Sequence, residues 1–185
     1  MSKQKIVALF RKIDAKEVGL CLYFNRFSRS TGIRRFFNVV SRLGDGWIWI
    51  ALMVVLPFIY GDDGWVVAMG MAIMATVNVL IYDVLKRFLA RERPYISFSD
   101  VDCVTPPLDR YSFPSGHTLH AVSFTLVVAT FFPILGILFA PFTILVGASR
   151  VILGLHYPTD VLMGIAIGIG ISSSFVSLIT YLISI

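Results

Sequence analysis

Charge is scarce in this chain of 185 residues: 15% are charged and 57% hydrophobic, and a mean hydropathy of +0.81 excludes an ordinary soluble domain. Cysteine is nearly absent. Cys21 and Cys103 are too few and too far apart for a disulfide framework or a zinc ribbon; they read as small free thiols, with a single bridge between them as the alternative. There is no internal repeat, low-complexity tract or second soluble domain. A signal peptide of the usual form is also missing, because Arg11, Lys12, Asp14, Lys16 and Glu17 break the first apolar stretch.

What the chain does contain is a series of apolar runs near the roughly 20 residues that a helix needs to cross a bilayer. The fold class expected is an all-α, polytopic membrane helical bundle with about five transmembrane helices. The spans run from Trp47 to Tyr60, Trp65 to Leu85, Ser115 to Phe132, Ile134 to Leu153 and Pro158 to Tyr181, and the turn Gly61, Asp62, Asp63, Gly64 separates the first two. Gly164 and Gly168 share one face of the last span, with Gly170 nearby, and suit close helix packing. Residues 1–44 carry ten Lys or Arg among apolar positions such as Leu9, Phe10, Leu20 and Phe36, a density too high for a crossing. They read as amino-terminal amphipathic helices in the headgroup layer. The chain thus divides into a basic interfacial segment, 1–44, and a transmembrane core, 45–185.

Ionisable residues at span ends are expensive and mark function by default. With five spans, the amino-terminal segment, the 86–114 loop and the 154–158 turn face one side. In "KRFLARERPY", a helix continuing past the membrane surface would put Lys86 and Arg93 on one face, two turns apart, before Pro94 stops it. Arg150 joins them from the end of the fourth span, and three such cations suit a tetrahedral oxyanion. In "SFPSGHTLHAV", Pro114 fixes the backbone, Ser115 is a good cap, and Gly116 leaves the amides of a helix start open to an anion. His117 follows as a proton-exchanging group. In "SRVILGLHYPTDV", Asp160 on the first turn of the last helix reaches back to one nitrogen of His156, leaving the other as a nucleophile. Asp83 reads as a helical partner for Lys86, or as a plain structural charge. His120 reads as a packing residue, and a metal set of His117, His120, His156 and Asp160 is the rival.

Taken together, KxxxxxxRP at 86–94, PSGH at 114–117 and SRxxxxxHxxxD at 149–160 are complete and in order. In this the chain resembles the type 2 phosphatidic acid phosphatase superfamily, and its apolar flanks look like the membrane-bound lipid phosphatase branch. The resemblance implies a metal-independent phosphatase without cofactor that passes through a phosphohistidine. His156 would be the nucleophile, Asp160 its orienting carboxylate, and His117 the acid toward the leaving oxygen and then the base for water. Lys86, Arg93, Ser115, Gly116 and Arg150 would bind phosphate. Arg110 and Tyr111 lie outside the signatures and are candidates for the substrate headgroup.

The substrate class expected is a lipid phosphate or pyrophosphate: phosphatidic acid, phosphatidylglycerophosphate, an isoprenyl pyrophosphate or a lipid A phosphate. A lipid phosphotransferase and a non-catalytic phospholipid-binding or transport protein are the alternatives. Anionic lipids are the expected partners of the basic face; no nucleic acid is, and the sequence carries no sign of oligomeric state. A multi-pass protein of the cell (inner) membrane is expected. All 16 Lys and Arg fall on the catalytic side of the five-span arrangement, which argues for a cytoplasmic site, whereas the habit of bacterial members of the family argues for the outer, periplasmic face.

Overall fold

The computed structural model describes residues 3–183, and every regular element among them is helical. Helix α1 (Lys3–Asn25) passes through a 3-10 turn (Arg26–Arg29) into α2 (Thr31–Arg42). A wide turn, Leu43–Trp47, follows, with Gly46 at φ 133°, a conformation that costs glycine little. Next come α3 (Ile48–Leu89), a single-turn α4 (Pro94–Ser97), α5 (Gly116–Phe131), α6 (Pro133–Ile152) and α7 (Pro158–Ile183).

Helix α3 is two arms. At Gly61 the backbone takes φ 57° and ψ −129° and the chain turns back, so that a Cβ on Gly64 would lie 2.2 Å from the Leu56 carbonyl oxygen. The break expected at Gly61–Gly64 is therefore a tight helical hairpin. Tyr60, at its tip, stacks on Phe132 with ring centroids 3.9 Å apart.

The core forms where both arms meet α5 and the first arm meets α6. Trp49 anchors it, its ring 5.5 Å from Phe124, 5.5 Å from Phe139 and 5.8 Å from Phe142, with Leu56, Val67, Met71 and Val127 buried around it. Helix α5 packs most extensively on α7. Glycine makes this approach close: a Cβ on Gly164 would sit 2.7 Å from the Ser115 carbonyl oxygen, and one on Gly168 2.9 Å from that of Leu119. Gly170 meets nothing within 4 Å and has no part in the contact.

By length and apolarity, three helical stretches are suited to crossing a membrane: 31–97, α6, and 158–181 of α7. Helix α5, at 16 residues, is shorter. Helix α1 has Asp14 and Glu17 on its buried side, and Asn25 at its end ties the bundle together, donating to the carbonyls of Ile152 and Asp102 at 3.0 Å each. Cys21 is buried, Cys103 is exposed, and both are free, as the thiol reading expected.

Candidate active site

The three signature segments meet at one end of the bundle, around a cavity of about 570 Å³. Lys86, Arg93, Gly116, His117, Arg150 and His156 all line it. Apolar residues, among them Trp49, Ile50, Met53, Val79 and Phe124, also line the cavity.

His156 is positioned by the end of α6. The amides of Leu155 and His156 both donate to the Arg150 carbonyl at 3.0 Å, and Gly154, at φ 76°, lets the turn press against the Asp102 carbonyl, where a Cβ would come within 2.3 Å. Arg93 Nη1 lies 3.3 Å from His156 Nε2. A guanidinium only donates, so Nε2 carries the lone pair and Nδ1 the proton. Burial, and then the charges of Arg93, Arg150 and Lys86, push the imidazole well below its ordinary range, which keeps it neutral at neutral pH.

Asp160 stands behind the ring. Its Oδ2 is 3.6 Å from His156 Nδ1, beyond a hydrogen bond, and accepts instead from the Tyr157 amide at 2.8 Å. The reach from Asp160 to His156 expected from sequence is thus an electrostatic approach without a formed bond. Its other oxygen accepts from Arg91 Nη1 at 2.6 Å.

The cations differ in how they are compensated. Helix α3 stops at Leu89, where Ala90 turns left-handed, so Lys86 and Arg93 do not share a helical face as expected. They meet because Asp109 joins them, one oxygen 2.6 Å from Lys86 Nζ and the other 2.8 Å from Arg93 Nη2. Burial would raise the Asp109 carboxyl, but Lys86 and Arg93 outweigh it and hold it below its usual range. Asp83 pairs with Arg87 at 2.9 Å and not with Lys86, because the i,i+4 step suits it better and Lys86 is turned inward. Arg150 is buried and, among the described residues, forms no ion pair; it donates to the Ser41 hydroxyl, and its Nε has no partner.

His117 faces the cavity from the first turn of α5 and bonds through Nε2 to Asp45 of the wide turn. Ser115 departs from expectation. Its hydroxyl meets that of Thr118 at 2.9 Å instead of capping a backbone amide, its own amide donates to the Asp160 carbonyl at 3.1 Å, and it does not line the cavity. Arg110 and Tyr111 do line it, with the guanidinium 5.6 Å over the neighbouring ring. His120 bonds the Gly116 carbonyl through Nδ1 at 2.9 Å and packs edge-on against Tyr82 and Phe124; among the described residues no group of three His, Cys, Asp or Glu is placed to hold a metal ion.

Arg91, Asp109, Asp45 and Ser41 escaped the sequence reading. Arg91 carried no local signal: it meets Asp14 and Glu17 of α1 only once the chain folds, across 77 and 74 positions.

The PAP2 superfamily profile matches residues 65–184, more than half of the chain. The chain belongs to the PAP2 superfamily. Its PAP2 relatives are membrane lipid phosphatases: the lipid A 1-phosphatase of Rhizobium etli is 28% identical over 86% of this chain and 78% of that protein. The decaprenylphosphoryl-5-phosphoribose phosphatase of Mycobacterium tuberculosis is 34% identical over 66% of each, so the chain spans about two thirds of that relative. Among solved PAP2 structures, Aquifex aeolicus LpxE superposes with a TM-score of 0.76 at 25% identity, covering 87% of this chain and 94% of that one. The transmembrane phosphatidylglycerolphosphate phosphatase of Bacillus subtilis, at 22% identity and a TM-score of 0.70, shares the fold. The chain is accordingly a membrane protein of the lipid phosphatase branch.

Proposed function

We propose that this protein is an integral membrane lipid phosphatase that works through a phosphohistidine on His156. The observation that carries this reading is Arg150: a guanidinium buried in the cavity wall that, among the described residues, forms no ion pair and leaves its Nε without a partner is costly, and an entering phosphate would compensate it. A neutral His156 with its Nε2 lone pair at the same cavity supplies the nucleophile.

In this reading the phosphate oxygens take the charges of Lys86, Arg93 and Arg150 and the amides at the start of α5 around Gly116, where the helix dipole adds positive potential. Nε2 of His156 attacks phosphorus as the bond to the lipid oxygen breaks, and His117 gives that oxygen its proton. Asp45 stabilises the imidazolium that must precede this transfer. His117 then takes a proton from water, which attacks the phosphohistidine; inorganic phosphate leaves and the P–N bond returns its electrons to His156. Asp160 stabilises the positive ring of the intermediate. Three cations distributing the charge of the transition state supply what phosphoryl transfer chiefly needs, and no metal ion is assigned a step.

The substrate is a lipid with a terminal phosphate, its tails toward Trp49 and Phe124 in the cavity and its headgroup near Arg110 and Tyr111. In this reading the segment up to residue 44 lies in the headgroup layer with anionic lipids as its partners; the exposure of Leu20, Tyr23, Phe24 and Phe36 on a segment rich in Lys and Arg supports it. In this reading the core crosses the membrane five times, α5 included, and the excess of positive charge on the catalytic side argues for a site at the cytoplasmic surface of the inner membrane.

The test is phosphate release by purified protein from a panel of lipid phosphates and pyrophosphates in detergent, with and without chelator. Hydrolysis that disappears in His156→Ala and survives chelation is the expected result; a fully active His156→Ala enzyme rejects the mechanism. Labelled donor phosphate appearing on an added alcohol instead of in solution would make the enzyme a phosphotransferase.

A further inference from the structure

Asp109 stands out because the groups it holds are the ones assigned to the substrate. Its carboxylate bridges Lys86 and Arg93 at 2.6 and 2.8 Å, and its main-chain oxygen accepts from Arg93 Nε at 3.2 Å. It lines the same cavity as His117, Arg150 and His156. Among the described residues, no other carboxylate pairs with either cation. The partners differ in exposure: the side chains of Lys86 and Arg93 are 6% and 2% exposed, that of Asp109 39%, and Asp109 comes from the irregular segment between α4 and α5.

A carboxylate bidentate across two buried cations reproduces two of the oxygens of a phosphate. Both anions cannot hold Lys86 and Arg93 at once, since that would place like charges within contact distance. We propose that Asp109 is an internal competitor for the phosphate site: it occupies Lys86 and Arg93 when the site is empty, swings out on its loop when a lipid phosphate enters, and returns to displace the inorganic phosphate product. This rests on the function proposed above and assigns the site a built-in determinant of substrate affinity and product release. A cluster of Lys86, Arg93 and Arg150 without such a rival would retain free phosphate, because a dianion gains from all three.

The alternative role for Asp109 is to hold Lys86 and Arg93 in their binding geometry, and the two roles predict opposite signs. As a competitor, its removal frees two cations: Asp109→Asn and Asp109→Ser should bind orthovanadate and inorganic phosphate on the order of tenfold more tightly. Measured by calorimetry on the full-length protein in detergent and by inhibition of hydrolysis, this tightening should come with a lower KM and a kcat depressed by retained product. Asp109→Glu, which keeps the charge, should show no tightening of anion binding. Unchanged or weaker anion binding in both charge-removing variants overturns the proposal and assigns Asp109 to positioning. Inactive His156→Ala together with unaltered vanadate affinity in Asp109→Asn rejects this inference alone, whereas an active His156→Ala rejects the parent reading whatever Asp109 does.

Discussion

Arg91 and Asp160 form an ion pair with neither side chain reached by solvent, Nη1 to Oδ1 at 2.6 Å. The same guanidinium binds Asp14 at 2.6 Å and Glu17 at 2.9 Å and the Thr159 hydroxyl at 2.8 Å, and it lies 4.0 Å over the Tyr157 ring. One cation thus satisfies three carboxylates drawn from α1 and α7. It ties the amino-terminal helix to the carboxylate behind His156.

Replacing Arg91 by Met should be severe, because it leaves Asp14, Glu17 and Asp160 buried with no counter-charge. A loss of about 3–5 kcal/mol is expected for breaking such a pair from one side, read as a lower thermal midpoint and folded yield in detergent. Arg91→Lys keeps a charge but not the planar fork, and should retain fold while losing activity. Equal stability of Arg91→Met and the parent protein would contradict the arrangement.

His117→Ala should lower kcat by on the order of 10²–10⁴ for a lipid substrate, the usual contribution of a general acid. The defect should shrink on an aryl phosphate, whose leaving oxygen needs no proton. Asp45→Asn, which removes the carboxylate bonded to His117, should show the same pattern more weakly. An equal loss on both substrates would argue that His117 acts on something other than the leaving group.

The acid side of the pH profile follows from His156. Burial first, then Arg93, Arg150 and Lys86, lower its folded value, whereas the unfolded chain titrates near 6.5. The unfolded state therefore binds this proton more readily, so the stability contributed by a neutral His156 is complete above that value and is lost as pH falls below it. The nucleophile remains unprotonated through the ordinary histidine range, so kcat/KM should not lose His156 with an apparent value near 6.5. In thermal melts between pH 8 and 5, His156→Ala should flatten part of the decline.

Gly164→Ala tests the α5–α7 approach. Its Cβ would fall 2.7 Å from the Ser115 carbonyl oxygen, a backbone atom that cannot step aside, so helix α7 must move away from the start of α5. Overpacking of this kind costs about 1–3 kcal/mol, and because Gly116 and His117 follow directly, activity should fall too. Gly170→Ala, in open space, is the control and should be neutral.

Sidedness is testable at a single thiol. Cys21 is 1% exposed and should not react in the folded protein, while Cys103 is exposed in the segment beside the site. Protection of Cys103 from an impermeant maleimide in intact cells, and its labelling after permeabilisation, is expected for a cytoplasmic site. Labelling in intact cells would move the site to the outer face.

Helical class and the break at Gly61 were legible in the sequence because they depend on local chemistry, apolar run length and glycine and proline punctuation, whereas the meeting of 86–93, 114–117 and 149–160 was expected from the five-span arrangement and from the resemblance carried by their motifs. The roles of Gly164 and Gly168 were legible for the same reason, since their spacing fixes a face. What a line of residues could not reveal was the partner of each charge. Asp83 looked available to Lys86, yet Lys86 turned inward to Asp109, 23 positions away. Arg91 reached Asp14 across 77 positions, and Asp45 reached His117 across 72. Such pairs form because desolvated charges must be matched wherever packing leaves them, and only the assembled helices determine which acid lies within reach of which base. The sequence by itself therefore determined the helices and the chemical groups of the site, whereas the tertiary structure decided their pairing, leaving Arg150 without an ion pair among the described residues and Asp109 across Lys86 and Arg93.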